Sequence, residues 1–359
     1  MTRRQQVALF WMAALIGLLV VLYVLRSILL PFVAGTALAY ALDPLADWLE
    51  RRGLARPAAT IAILIFALIL LVLLLLLIGP IVFNQLSDFV QRLPTAIEEL
   101  QRLLSSFVDS EWAQFLGLEA ESLRDSLTGF LSGDSDLVSR LLPSLWSGGV
   151  ALLNIAALFI ITPFVAFYLL RDWDKMIARI DAVLPRDHAA EIRLLAGRID
   201  HKVAAFVRGQ MLSGLIMGIY YVIGLFAVGL NYSLLIGMVA GMISFIPYAG
   251  YAVGFVISIG VAIVQFWPEW IWILAVAAVF QAGQLLEGYV LQPRLLGSMV
   301  GLHPVWLLFG LFAFGLLFGF VGLLIAIPAT AAVGVLAQHA LELYRASPIF
   351  SGEEPPQAP

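Results

Sequence analysis

Apolar runs of about 20 residues alternate with short charged segments along this chain, and each run is long enough to cross roughly 30 Å of hydrocarbon as a helix. The first, Val7 to Leu25, follows Arg3 and Arg4 and ends without a small-residue cleavage site, which predicts a retained helix. Ser27 to Leu42, set off by Arg26 and containing Pro31, predicts a hairpin with it rather than one long kinked helix. Ala58 to Gly79 is the third span. Leu86, Phe89, Leu93, Ile97, Leu100, Leu104 and Phe107 then recur every three or four residues, the mark of an amphipathic helix. Its partner is the bilayer interface, the same helix of a neighbouring subunit, or its own protein. Leu123, Leu127, Phe130 and Leu131 continue the stripe. Leu145 to Leu170 crosses again with a kink at Pro163, and Ile192, Leu195, Ile199, Val203 and Phe206 give a juxtamembrane helix its apolar face. Four runs remain: Gln210–Gly229, Leu234–Gln265, Trp270–Val290 and Val305–Ala340. The second and fourth exceed a simple crossing. Ile246-Pro247-Tyr248-Ala249-Gly250 breaks one, while Gly315, Gly319, Gly322 and Ile327-Pro328 break the other, so each is either a single broken span or a hairpin, re-entrant or fully spanning.

Composition agrees with that pattern. Of 359 residues 62% are hydrophobic and 12% charged, about half the charge of a soluble domain. The class is all-α: a polytopic helical membrane protein of about eight transmembrane segments, two of them Gly/Pro-broken. The lipid bilayer is its first partner. The absence of cysteine excludes disulfides and thiolate metal sites. Charge placement sets orientation, because short basic loops stay cytoplasmic. The Glu50–Arg56 loop and Arg3-Arg4 are basic, whereas residues 83–145 carry ten acidic residues against four arginines. Both termini are therefore expected inside. Residues 171–208, with eight basic and six acidic side chains, suit lipid headgroups rather than nucleic acid. The expected organisation is 1–82, N-terminal spans; 83–145, extracytoplasmic amphipathic region; 146–170, a transmembrane helix; 171–208, cytoplasmic helices; 209–344, permease core; and 345–359, a disordered tail.

Candidate chemistry is sparse. Between Gln210 and Leu341 only Glu269, Glu287 and Arg294 are charged, and a charge in lipid costs roughly 2.5–3.5 kcal/mol. Glu269, within Trp267-Pro268-Glu269-Trp270, marks a membrane–water boundary. Gln281, Gln284 and Glu287 are spaced by three and share one side of a helix, with Arg294 seven residues on. Two readings stand open: a polar wall along a solute or ion path, or an ion pair locking the helix end to its loop. Pro247, Tyr248, Gly250 and Pro328 are candidate hinges or cavity-lining backbone. At an offset of 81 residues Gly241 aligns with Gly322 and Ile246-Pro247 with Ile327-Pro328; this is either an internal repeat or small residues serving close helix approach. No zinc-protease or nucleophile-elbow motif is present. The chain is read as a non-enzyme, with no cofactor or metal, and His303 and His339 as structural.

The run Leu286-Glu287-Gly288-Tyr289-Val290-Leu291-Gln292-Pro293-Arg294-Leu295-Leu296-Gly297-Ser298-Met299-Val300-Gly301-Leu302-His303-Pro304 resembles the signature of the autoinducer-2 exporter family of permeases. Arg208-Gly209-Gln210, Ile246-Pro247-Tyr248-Ala249-Gly250, Tyr168-Leu169-Leu170-Arg171-Asp172, and Asp43-Pro44-Leu45 ahead of Glu50-Arg51-Arg52-Gly53-Leu54 match in family order. Tyr251, Tyr289 and Ser298 depart from the family's usual residues. The resemblance implies an oligomeric bacterial inner-membrane permease. Some members are assigned export of the furanone signal autoinducer-2, others sodium/proton antiport. It places Arg208 and Gln210 at a gate or cytoplasmic mouth, and Gln292 on the pathway with Gln281, Gln284, Glu287 and Arg294. Glu287 stands alone within the C-terminal apolar region and no aspartate lies there. That ranks a small polar organic solute first, a cation exchanged for protons second, and a scaffold without cargo third.

Overall fold

The computed structural model describes residues 20–108, 149–296 and 303–347, with single positions at 9, 12, 13, 17 and 350. About half of the Val7–Leu25 span, the Leu123–Leu131 stripe, Ser298 and most of the tail lie outside the described residues. All regular secondary structure among those described is helical. A 3-10 turn at Arg26–Ile28 leads into α1 (Leu29–Arg51), followed by α2 (Arg56–Val108), α3 (Gly149–Ala182), α4 (Ala189–Val228), α5 (Ser233–Ile243), α6 (Ala249–Phe266), α7 (Trp270–Leu286) and α8 (Pro304–Arg345). Six of these stretches are long and apolar enough to cross a bilayer. Leu76 is 70% and Leu77 64% exposed on α2, which water would not tolerate in so long an apolar run and lipid does. The chain is a polytopic helical membrane protein.

Two of the expected segment limits fall inside continuous helices. Past Gly79, where the third span is expected to end, α2 runs on through Pro80 and Pro94, 53 residues in all, about 80 Å. Each internal proline removes one hydrogen bond at a cost of about 3 kcal/mol, and the helix-forming residues on both sides outweigh it. Likewise the expected boundary at 208/209 falls inside α4, a single helix of 40 residues.

The chain forms two compact units. In the first (Met1–Ile65, Leu158–Met211, Gln292–Pro359), α1 and α2 are joined by a short turn with Gly53 at φ +96°. Small residues on α1 bring α3 close, since a Cβ on Gly35 would lie 2.7 Å from that of Val165. Ala39, Ala46, Ile63, Ala166 and Leu170 form the core there. Arg193 on α4 grips both carboxylate oxygens of Asp181 at the end of α3, at 2.5 and 2.9 Å, and holds that carboxyl below its usual range. Within α8, Gly319 at φ +62° and ψ −138° reverses the chain. The arms on either side pack together: Gly310 faces Thr330, Gly315 faces Leu323, and Gly322 faces Phe314. Arg26 donates to the carbonyl of Leu317 near the end of the first arm, a favourable place for a cation. A β-carbon on Gly319 would meet nothing within 4 Å, so Gly319→Ala pays only backbone strain. We expect it to cost about 2 kcal/mol, read by thermal unfolding in detergent.

The second unit (Phe66–Ala157, Leu212–Leu291) packs through glycine. A Cβ on Gly241 would lie 2.4 Å from Gly218 Cα, and one on Gly237 2.5 Å from Val222 N. The close-approach reading of these glycines is the one the packing supports. Helix α5, with 11 residues, is about 16 Å long, half the hydrocarbon thickness. It turns back into α6 through Ser244–Tyr248, where Tyr248 takes φ +65°, and Gly250 sits so tightly that a Cβ would meet Ser244 Oγ at 2.1 Å. Both broken segments are hairpins. Their turns are not at equivalent positions of the 81-residue offset, because Ile246-Pro247 lies in one turn while Ile327-Pro328 lies inside a helical arm. At the other end of α6, Gln265 clamps the α4–α5 turn, accepting from Asn231 N and donating to Gly229 O, both at 2.8 Å. The amphipathic stripe on α2 finds part of its partner in its own chain. Phe89 meets the Tyr232 ring edge-on at 5.3 Å, Asp88 accepts from the Tyr232 hydroxyl at 2.7 Å, and Gln85 accepts from Leu235 N at 3.0 Å.

Candidate functional site

Helix α7 is apolar along its buried side, with Val276, Phe280 and Gly283 packed inward. Glu287 follows at the same helical spacing and is only 5% exposed. From Glu287 to Leu296 the helix widens into π geometry with Pro293 inside it, a local unwinding often found at functional sites. The Tyr221 ring stacks on Phe280 with centroids 4.6 Å apart. Gly283 makes room for it, since a Cβ there would come within 3.0 Å of the Tyr221 hydroxyl. That hydroxyl faces the side of the helix that carries Glu287 one turn beyond Gly283. Both it and Gln284 Oε1 are buried without a hydrogen-bond partner among the described residues. Tyr251 and Phe255 complete an aromatic cluster around Phe280, with centroids 6.2 and 5.9 Å from it. An acid, an amide oxygen and a phenol are thus held among aromatic rings, and each can accept a hydrogen bond.

A second constellation lies in the first unit. Asp43, Asp47 and Glu50 recur at helical spacing on α1, and Arg56, at the start of α2, reaches all three. Its Nη2 donates to Asp43 at 2.7 Å, its Nη1 to Glu50 at 3.0 Å and also to Asp47. Its Nε donates to the Leu170 carbonyl at 3.1 Å. Arg208, from α4, donates to the Tyr40 carbonyl at 2.8 Å and to the other oxygen of Asp43 at 3.1 Å. The Tyr40 hydroxyl donates to Asp200 at 2.7 Å, and Trp173 meets the Tyr40 ring edge-on at 6.1 Å. Tyr40, Asp43, Trp173, Asp200 and Arg208 line a cavity of about 70 Å³, from which Asp47, Glu50 and Arg56 stand apart.

The expected polar wall is therefore distributed. Gln281 is exposed, Gln284 half-buried and Glu287 buried, because three-residue steps drift around an α-helix. Gln292 is half-buried and Arg294 exposed in the π segment, whose wider winding moves later residues off the face an α-helix would give them. Pro247 and Tyr248 form the α5–α6 turn, Gly250 opens α6, and Pro328 lies in the second arm of α8. Arg208 joins the Asp43 cluster, whereas Gln210 is 3% exposed. Sequence reading passed over Tyr40, Arg56, Trp173, Asp200 and Tyr221. The signal for Arg56 was legible, since three acids at spacings of four and three on one apolar helix require a cation. Nothing local marks Tyr221 or Asp200.

Comparison with other proteins places these residues in a family. The chain is 26% identical over 329 residues to the candidate transport protein YrrI of Bacillus subtilis, covering 89% of this chain and 88% of that protein. It is 30% identical over 328 residues to the candidate permease PerM of Escherichia coli, covering 86% of each. The family model described as AI-2E family transporter matches residues 12–342. A match spanning both glycine-packed hairpins, the Asp43–Arg208 cluster and Glu287 means that this chain belongs to the AI-2E transporter family.

Proposed function

We propose that this protein is a permease that carries a small polar organic solute across the bacterial inner membrane, both termini facing the cytoplasm, with Glu287, Gln284 and Tyr221 as a polar station on the route. The observation that carries the reading is the buried pair of unpartnered acceptors, Tyr221 Oη and Gln284 Oε1, beside a buried carboxylate. A buried polar atom left without a hydrogen bond costs about 1–3 kcal/mol, so such groups persist where a passing solute or water satisfies them. Discontinuous helices support the same reading, because half-helices and turns at membrane depth line cavities in transporters. The basic Glu50–Arg56 loop supports the orientation.

The test is flux into proteoliposomes of radiolabelled glycerol, ribose, alanine and ethanolamine. At least one should enter faster than in protein-free vesicles. Glu287→Gln should slow that flux at least fivefold with an unchanged melting temperature. If the sole activity is proton movement driven by a sodium gradient and abolished in Glu287→Gln, the protein is an antiporter and the solute reading is wrong.

A further inference from the structure

The cavity of the first unit and the Glu287 station share one chemistry, an acid set among aromatic rings, and from this we infer that the transported solute is a small organic cation that binds in the pocket formed by Tyr40, Trp173 and Asp200. This rests on the permease reading for its role as a transport site, but binding to the pocket does not.

Hydrogen bonding in the pocket leaves a specific remainder. Asp200 Oδ1 accepts from the Tyr40 hydroxyl, and its Oδ2 has no partner among the described residues. Arg208 spends Nε on the Tyr40 carbonyl and Nη2 on Asp43, so its charge is held against a carboxylate. Thr36 donates its hydroxyl proton to the Phe32 carbonyl and keeps lone pairs for a donor. What is left over is an acceptor pair, Asp200 Oδ2 and the Thr36 hydroxyl, beside the remaining N–H groups of Arg208. The fixed charges of the lining agree: Asp43 and Asp200 outnumber Arg208 by one. An anion would meet that excess directly. A neutral hydroxyl compound would leave the excess charge unanswered. An ammonium group satisfies Asp200 Oδ2 beside the Tyr40 and Trp173 rings, which line the cavity at 67° to each other.

Size narrows the class. A cavity of about 70 Å³ holds about five waters, the bulk of a primary amine with a short polar chain. The second station repeats the match independently, for Glu287 is buried near the stacked Tyr221 and Phe280 rings, with Tyr251 at the edge of the same cluster. A buried carboxylate among aromatic faces favours a cation over a neutral solute wherever the cation can shed its water.

The experiment measures binding of carbon-14 ethanolamine to the purified full chain in nanodiscs by scintillation proximity, with ethylene glycol, glycolate and sodium chloride as competitors of matched size or charge. Saturable binding is expected, displaced by unlabelled ethanolamine and at least fivefold less sensitive to the three others. Asp200→Asn and Trp173→Ala should each weaken it at least fivefold with the melting temperature retained. If either fails to fold, Ala204→Leu, which narrows the pocket, should do the same. The inference is overturned if ethylene glycol or glycolate competes as well as ethanolamine, if sodium does so, or if the folded pocket variants bind like the parent. Binding and flux are read separately: ethanolamine that binds while none of the four solutes is carried sinks the permease reading, and a solute that is carried while ethanolamine does not bind, or binds and is not carried, sinks this one.

Discussion

Gly241→Leu is expected to abolish the native fold of the second unit. A β-carbon at Gly241 would lie 2.4 Å from Gly218 Cα and 2.9 Å from Gly214 O, so the obstruction is backbone on backbone and no rotamer relieves it. Helices α4 and α5 would have to separate by more than an ångström. That would strip contact from Gly237 and Val222 as well, because all five positions lie along one seam. Overpacking a well-filled core costs typically 1–3 kcal/mol and occasionally more, and here an entire side chain must be placed where a single carbon does not fit. A loss of about 4 kcal/mol or more is expected, seen as aggregation or a broad, lowered melting transition in detergent. Gly197→Leu is the matched control, since nothing lies within 4 Å of a β-carbon there. Equal melting of the two variants would show that α4 and α5 do not pack at this seam.

Arg56→Ala should be the most damaging change in the first unit. One guanidinium answers Asp43, Asp47 and Glu50 and also caps the Leu170 carbonyl. Its side chain is 18% exposed, against 45% for Asp47 and 49% for Glu50. Solvent screens those two outer pairs, and each contributes little. The cost comes from the Leu170 carbonyl and from one oxygen of Asp43, which keeps Arg208 on the other. About 2–4 kcal/mol is expected, measured by chemical or thermal unfolding in micelles. Arg56→Lys should recover only part, because an ammonium lacks the planar fork that reaches several acceptors at once. A variant within about 0.5 kcal/mol of the parent would show that the acids are solvated and that Arg56 holds nothing together.

Much of the architecture was legible without coordinates. Apolar run length predicted the membrane class. The Gly/Pro-rich interruptions marked two over-long segments as broken and left open whether each was a single span or a hairpin; both turn back, one at Ser244–Tyr248 and the other at Gly319. The choice of breaker was not legible. Proline looks like the stronger signal, yet Pro80, Pro94 and Pro328 all lie inside helices, since a long ladder absorbs one missing donor. Gly319 turns the chain because its φ and ψ are open only to glycine, and no local pattern distinguishes it from Gly315 or Gly322.

The chemistry divides in the same way. That Glu287 is an isolated acid in an apolar run, and that it belongs on a helix with Gln281 and Gln284, are properties of spacing along one chain. So is the need of Asp43, Asp47 and Glu50 for a nearby cation. Only tertiary structure decided that Glu287 is buried near Tyr221, that Arg208 from α4 shares Asp43 with Arg56, and that Tyr40, Trp173 and Asp200 enclose a cavity. Periodicity reports which residues share a face of one helix. Which face meets which is set by where small residues let backbones approach, and that depends on pairs such as Gly35 with Val165 or Gly218 with Gly241, far apart in sequence and joined only by the packing.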